Sequence, residues 1–272
     1  MNTVSNTDRK YTSLRHQPAK AKPGKLLACL LAVLLITPGP RSYADTVNVA
    51  VSSNFSAVFR LLKTEYEQGS DHQINLITGS SGKHYAQIVN GAPYDLFLSA
   101  DEEQVNLLKI HENMELYSSQ TYAIGRLALW SRQAGITLNE DYLQNTDNFR
   151  RLATANPDLA PYGRAALQTL NSLGLTDSVA DRMVYGENIS QAFQFAYSGN
   201  AQLGLLAYSQ VLLLAVSGSY WLIPQSFHEP IRQDMALLRN TVAARSVFQF
   251  LSSDAARRII STSGYSAPDP GS

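Results

Sequence analysis

Short runs of alternating apolar and polar residues recur along the chain, each followed by a polar loop and a stretch with helical spacing. In the first unit, residues 47–51 alternate, residues 52–54 are Ser-Ser-Asn, and apolar residues recur at helical intervals over 55–66. Alternation predicts a strand, and the wider spacing predicts an amphipathic helix. Ser53 or Asn54 is expected to cap that helix. Residues 47–66 therefore form a predicted strand–polar loop–helix unit.

A second unit of the same kind follows directly. Residues 72–77 predict a strand, residues 78–83 have the sequence Thr-Gly-Ser-Ser-Gly-Lys, and residues 84–89 predict a helix. A small-residue loop at a helix N-terminus presents unpaired N–H groups and the positive end of the helix dipole, which favours an anion. Only two residues separate Gly79 from Gly82, whereas a Walker A loop has four. We expect the loop to form half of a small oxyanion site, although alone it is also typical of an ordinary turn.

The rest of the chain repeats this organisation and predicts an α/β fold with two lobes. The character of the sequence changes near Tyr122, where we expect the chain to cross into a second lobe, and residues 231–238 lead back. The predicted organisation is a first lobe of 45–121 and 231–272, and a second lobe of 122–230. Two lobes joined by two crossings leave a cleft between them, which is a common ligand position.

The N-terminal segment has the layout of a secretory signal peptide. Residues 1–25 are basic, residues 26–37 form an apolar run too short to span a bilayer, and Ser42-Tyr43-Ala44 provides a cleavage site. We predict a signal peptide over 1–44, cleaved near Ala44, and export to the periplasm. The single cysteine, Cys29, lies within it, so the mature chain is expected to have no disulfide.

Charge argues against nucleic acid as a partner. The whole chain is neutral, but residues 45–272 carry 15 Lys and Arg against 21 Asp and Glu, a net charge of −6. A basic patch of the kind that binds nucleic acid is not expected. An anion site in such a chain must be built locally from dipoles and hydrogen-bond donors.

Six motifs occur in order along the chain, at residues 50–55, 79–83, 90–101, 122–125, 160–163 and 186–189. Together they resemble those of the periplasmic molybdate-binding proteins of ABC importers. The resemblance implies a type II periplasmic binding protein fold, in which each lobe is a mixed sheet flanked by helices and two crossover strands join the lobes. It further implies a monomer that captures molybdate or tungstate and delivers it to an ABC transporter permease in the inner membrane. No catalysis and no cofactor are expected, and the only metal is the molybdenum of the oxyanion.

The resemblance also implies which residues bind the anion. Ser53 and Asn54 would contact it from the first loop and Ser81 from the second. In the other lobe, Tyr162 would donate at the start of its helix and Ile189 through its backbone N–H. Some family members place a tyrosine at a later strand end, where this chain has Ala207 followed by Tyr208. Whether Tyr208 or Lys83 touches the ligand stays open.

Molybdate near neutral pH is a dianion, so its binding site needs hydrogen-bond donors and is weakened by carboxylates. None of the five residues expected to bind it is acidic. Discrimination against sulfate, which has the same charge and shape, would then rest on cavity size. The alternatives are a receptor for sulfate or another tetrahedral oxyanion, a ligand-sensing module, and a secreted serine hydrolase. Against the hydrolase, the sequence has no Gly-x-Ser-x-Gly elbow and no histidine placed as a base.

Overall fold

Two mixed β-sheets, each flanked by helices, make up the computed structural model, which describes residues 13, 44–214 and 217–268. The predicted signal peptide, apart from Ser13 and Ala44, lies outside these residues. Within them, no helix combines the length and the apolar character needed to cross a bilayer. The α/β class and the two mixed sheets agree with the prediction from the sequence.

The first sheet has the strand order β2-β1-β3-β10-β4 in the described residues. Strand β1 runs parallel to β2 and β3, whereas β10 is antiparallel to β3 and β4. The register pairs Ser52 with Gly79, so β1 and β2 end side by side. The strand bounds are β1 Thr46–Ser52, β2 Gln73–Gly79, β3 Leu96–Leu98, β4 Ser118–Gly125 and β10 Ile231–Leu237.

The second sheet has the order β7-β6-β8-β5-β9 over the described part of the chain. Strand β6 is parallel to β7 and β8, and β5 is antiparallel to β8 and β9. Ala155 pairs with Gly186, so the carboxyl ends of β6 and β7 are adjacent. The strand bounds are β5 Leu127–Ser131, β6 Leu152–Ala155, β7 Met183–Gly186, β8 Leu203–Ala207 and β9 Ser219–Leu222.

Helices cover the sheets and bury their apolar faces. One hydrophobic cluster surrounds the second sheet, and two clusters lie on the first. The helix bounds are α1 Ser56–Gln68, α2 Ser81–Val89, α3 Glu103–Ile110, α4 Glu140–Gln144, α5 Pro161–Ser172, α6 Thr176–Val179, α7 Ile189–Tyr197, α8 Tyr208–Leu214, α9 Val242–Leu251 and α10 Asp254–Thr262.

Strands β4 and β10 connect the two sheets. Strand β4 remains in the first sheet up to Gly125, and β5 enters the second sheet at Leu127. The predicted lobe boundary between 121 and 122 thus falls inside β4, whose Tyr122 and Ala123 pack in the core of the first sheet. The division into lobes of 45–121 with 231–272 and 122–230 stays a prediction.

The first helix starts later than the sequence suggested. Residues Ser53–Phe55 form a 3₁₀ turn, and α1 follows from Ser56 with Phe55 at its N-cap position. Neither Ser53 nor Asn54 caps α1. A tight 3₁₀ turn at a helix start shifts the cap position and leaves backbone N–H groups of the turn without helical acceptors.

Candidate functional site

Four loops, two from each sheet, meet at one small cavity. All five residues expected to bind the anion line it, together with neighbours from the same loops and Ala100, which follows β3. None of the described residues that line the cavity is charged. The lining residues are Ser52, Ser53, Asn54, Ser80, Ser81, Ala100, Ala160, Pro161, Tyr162 and Ile189.

The parallel register of the first sheet produces one wall. Because Ser52 and Gly79 are paired at the ends of β1 and β2, the segments that follow them are held together. One segment is the 3₁₀ turn with Ser53 and Asn54, and the other begins α2 at Ser81. The two strand–loop–helix units predicted from the sequence thus lie side by side, with both loops at the carboxyl ends of their parallel strands.

The second sheet provides the opposite wall in the same way, because the parallel strands β6 and β7 end side by side. Helix α5 begins after β6 with Pro161 in its first turn, and proline has no N–H, so Tyr162 carries the first N–H of this helix. Helix α7 begins after β7 at Ile189, where the Asn188 side chain accepts from the N–H groups of residues 190 and 191 at 3.1 Å. The Ile189 N–H stays outside that cap, and it is one of the first amides of a helix, which have no intrahelical acceptor.

Ser81 is held as a hydrogen-bond donor by its neighbours. Its Oγ accepts from the Ala100 N–H at 2.9 Å and lies 2.7 Å from the Ser52 Oγ. A hydroxyl oxygen has two acceptor lone pairs. When Ser52 donates to Ser81, both lone pairs are occupied, and the Ser81 proton is left to donate to a ligand in the cavity.

The side chain of Asn54 has a different role from the one expected of a ligand. Its Nδ2 donates to Gln233 Oε1 and to Tyr265 Oη, both at 3.0 Å. Asn54 therefore offers the cavity its backbone, while its amide side chain fixes the first loop against β10 and the C-terminal segment.

The Tyr162 phenol joins the same group of buried polar side chains, which we call the polar cluster and which consists of Asn54, Tyr162, Gln233 and Tyr265. Gln233 Nε2 donates to Tyr162 Oη at 3.2 Å. Burial raises the pKa of Tyr162 well above its usual range, with nearby Tyr265 adding to the shift, so the phenol stays protonated and neutral. Tyr162 reaches the cavity through its position in the first turn of α5.

The two walls are already in contact across the cavity. Ser190 Oγ donates to Ser53 O at 3.1 Å, and Gly82 N–H donates to Leu159 O at 3.4 Å. The cavity has a volume of about 10 Å³, which leaves room for about one water molecule. An anion with four oxygens is larger than one water, so we expect the walls to move outward when it binds.

The charged residues near the cavity pair with each other outside it. Lys83 Nζ lies 2.6 Å from Glu187 Oε2, and these side chains are 49% and 63% exposed. Arg164 pairs with Asp101 and Glu103. The exposed pair of Lys83 and Glu187 contributes little to stability. Neither Lys83 nor Arg164 lines the cavity.

Tyr208 packs against other side chains outside the cavity. Its ring lies 5.4 Å from that of Tyr220 and 5.3 Å from the Arg126 guanidinium. Tyr208 is not among the lining residues. The structure therefore separates both residues left open by the sequence, Lys83 and Tyr208, from the cavity.

Sequence patterns missed several parts of this site. Five residues line the cavity without having been predicted to bind, although the two serines among them stood in the polar loops that the pattern singled out: Ser52, Ser80, Ala100, Ala160 and Pro161. Gln233 was missed for a physical reason. It lies on β10, far along the chain from Asn54 and Tyr162, and only the folding of β10 between β3 and β4 brings these side chains together.

Replacing Ser81 by alanine should weaken binding of the anion. The variant loses a donor and leaves one anion oxygen unpaired in a closed site, which costs about 1–3 kcal/mol, or roughly 5- to 150-fold in affinity. Calorimetric titration would measure this. Ser172→Ala is the matched control, because Ser172 Oγ donates to Phe227 O at 3.0 Å on an exposed surface away from the cavity. Equal affinities in the two variants would contradict a binding role for Ser81.

His84 should make the fold sensitive to mild acid. It is buried against Gly79 with Nε2 at 3.2 Å from Val51 O, and burial lowers its pKa despite hydrogen bonds with Gln87 and Val51. The unfolded chain then binds a proton at higher pH than the folded one. The free energy of unfolding should fall as the pH drops below about 6.5 towards the folded pKa.

Urea unfolding between pH 7.5 and 5.5 would measure this loss. His228 contributes in the same direction, because burial lowers its pKa as well, so His84→Asn should reduce the slope without removing it. Asp234 has a raised pKa and acts in the opposite direction at lower pH. A stability that is flat across this range would contradict the assignment.

Comparison with known proteins agrees with the geometry. The model of a family described as bacterial extracellular solute-binding protein matches residues 47–266. The chain is 37% identical to molybdate-binding protein ModA of Azotobacter vinelandii, over 82% of this chain and 90% of that protein. It is 36% identical to ModA of Rhodobacter capsulatus, over 82% of this chain and 88% of that protein.

A solved structure shows the same fold. The periplasmic molybdate-binding protein of Azotobacter vinelandii superposes with a TM-score of 0.77 at 36% identity. The match covers 82% of this chain and 100% of that one. The predicted two-lobed binding-protein fold is confirmed by this match.

Proposed function

The chain belongs to the family of bacterial extracellular solute-binding proteins, and on that premise we propose that it captures molybdate or tungstate in the cavity between its two sheets. It is a substrate-binding protein of an ABC importer and not an enzyme. The observation that supports the ligand most directly is the convergence of neutral donors from four loops, with no carboxylate among them.

Donors without formal charge suit a fully deprotonated dianion. Ser81 offers a hydroxyl, and the starts of the 3₁₀ turn, α2, α5 and α7 offer backbone N–H groups at the positive ends of their dipoles. Hydrogen bonds to a charged acceptor contribute about 1.5–3 kcal/mol each. Five of them can replace the water around the ion without an arginine. The ligand would be held through Ser53, Asn54, Ser81, Tyr162 and Ile189, and molybdenum is bound only as part of the oxyanion.

The wider biological setting follows from the same premise. We propose that residues 1–44 direct export, that the mature chain acts as a periplasmic monomer, and that it hands its ligand to a permease in the inner membrane. Residues 45–121 with 231–272 would form one lobe and residues 122–230 the other. Nucleic acid is not a partner, since the net charge of residues 45–272 is −6.

Calorimetric titration with four anions tests the proposal. Molybdate and tungstate should bind near or below micromolar, and sulfate and phosphate far more weakly. Sulfate binding as tight as molybdate would favour the alternative of a general oxyanion receptor. Hydrolysis of an ester substrate would favour the serine hydrolase, which has no support among the relatives.

Ligand binding should also raise the melting temperature. An ion that binds only the folded state stabilises it by RT ln(1 + [L]/Kd), which is about 2.7 kcal/mol at a hundred times Kd. Thermal unfolding with and without molybdate would measure the shift. Sodium chloride at the same ionic strength serves as the control.

A further inference from the structure

Ser80 occupies the cap position of α2 but does not cap it. A serine there normally accepts from an N–H of the first turn. Ser80 makes no such side-chain bond, and only its carbonyl is used, accepting from the His84 N–H at 3.0 Å. Ser253, at the same position of α10, does cap, since its Oγ accepts from the Ala256 N–H at 3.3 Å. The Ser80 hydroxyl therefore has another use or none.

This hydroxyl is buried and lines the cavity. Ser80 is 2% exposed, and its Oγ has no hydrogen-bond partner among the described residues. Three other polar side chains in the lining have hydrogen-bond partners. Ser81 contacts Ser52, Asn54 donates into the polar cluster, and Tyr162 accepts from Gln233. Buried hydroxyls without partners are rare in folded proteins and call for an explanation, such as a ligand.

We propose that the Ser80 hydroxyl donates a hydrogen bond to an oxygen of the bound oxyanion, in addition to the five residues already assigned to the site. This rests on the proposed function and extends its set of donors. A tetrahedral oxyanion presents acceptors in four directions, and Ser80 adjoins Ser81 on the wall formed by the first sheet. Because the hydroxyl rotates about one bond, it can follow an oxygen as the walls move outward.

The test compares Ser80→Ala with Ser253→Ala in the full mature chain. Ser80→Ala should lower the affinity for molybdate about tenfold, because one charge-assisted hydrogen bond is lost. Its melting temperature without ligand should not fall, since a hydroxyl without a partner contributes nothing favourable to the folded state. Ser253→Ala should behave in the opposite way, with a lower melting temperature and an unchanged affinity.

Each outcome decides the inference. An affinity of Ser80→Ala within twofold of the unmodified protein, with molybdate still bound tightly, overturns the role of Ser80 and leaves the proposed function standing. A melting temperature without ligand that falls as much as in Ser253→Ala assigns Ser80 to capping instead. No binding of any tetrahedral oxyanion by the unmodified protein overturns both.

Discussion

The Ile189→Pro variant should bind molybdate about 10- to 100-fold more weakly than Ile189→Ala, because one backbone donor is lost. Ile189 is the first residue of α7, where proline fits without disturbing the helix. The preceding Asn188 has φ −151° and ψ 170°, an extended conformation that proline accepts in its neighbour. The substitution therefore removes the N–H of residue 189 without changing the backbone conformation.

Two controls separate the amide from the side chain. Ile189 is 2% exposed, so both substitutions lose its packing, but only Ile189→Ala keeps the N–H. Val242→Pro places proline at the same position of α9, where the side chain is exposed, and should leave binding unchanged. Titration calorimetry measures all three. Equal affinities for Ile189→Pro and Ile189→Ala would show that this amide does not hold the anion.

The Gly125→Ala variant should lose about 1–3 kcal/mol of unfolding free energy and bind the anion more weakly. Gly125 ends β4, beside the change from one sheet to the other. A Cβ there would lie 2.4 Å from Tyr162 Oη and 2.6 Å from Gln233 Nε2. The added methyl must push apart the hydrogen bond that joins α5 to β10, and with it the two walls of the cavity.

Gly69→Ala is the matched control for this substitution. The nearest atom to a Cβ at Gly69 is Tyr66 O at 3.9 Å, so the methyl fits. Urea unfolding and titration should both give values close to those of the unmodified protein for Gly69→Ala. If Gly125→Ala is equally mild, the contact between Tyr162 and β4 does not control closure of the cavity.

Local sequence patterns were sufficient for the parts of the site that follow from strand ends. The segment 47–51 and the segment 72–77 alternate, and parallel pairing places the ends of their strands together. Everything attached to those ends, including Ser53 and Ser81, then falls on one wall. Helix α5 begins at Pro161, one residue before Tyr162, where the sequence placed the start of this helix, and α7 begins at Ile189, as the sequence indicated.

Long-range hydrogen bonding was not visible in the sequence. The polar cluster joins Asn54, Tyr162, Gln233 and Tyr265, which come from four separate parts of the chain. No periodicity marks a glutamine on a buried strand as the partner of a loop asparagine. The outward pairing of Lys83 with Glu187 depends in the same way on the approach of two distant loops.

Positively charged side chains line a different and larger cavity. Two arginines, Arg126 and Arg232, line a larger cavity of about 480 Å³ beside the strands that connect the sheets. If positive charge alone determined where the anion binds, the anion site would be this larger cavity. We place the anion instead in the smaller cavity, where the donors are neutral and the starts of four elements converge.

A crystal structure with bound tungstate tests this most directly, because the anomalous scattering of tungsten locates the ion without ambiguity. We predict one strong peak between the two sheets, with oxygens in hydrogen-bond contact with Ser81 Oγ and the N–H groups of Asn54, Tyr162 and Ile189. A peak beside Arg126 and Arg232, or no peak in the cavity between the sheets, would contradict the account.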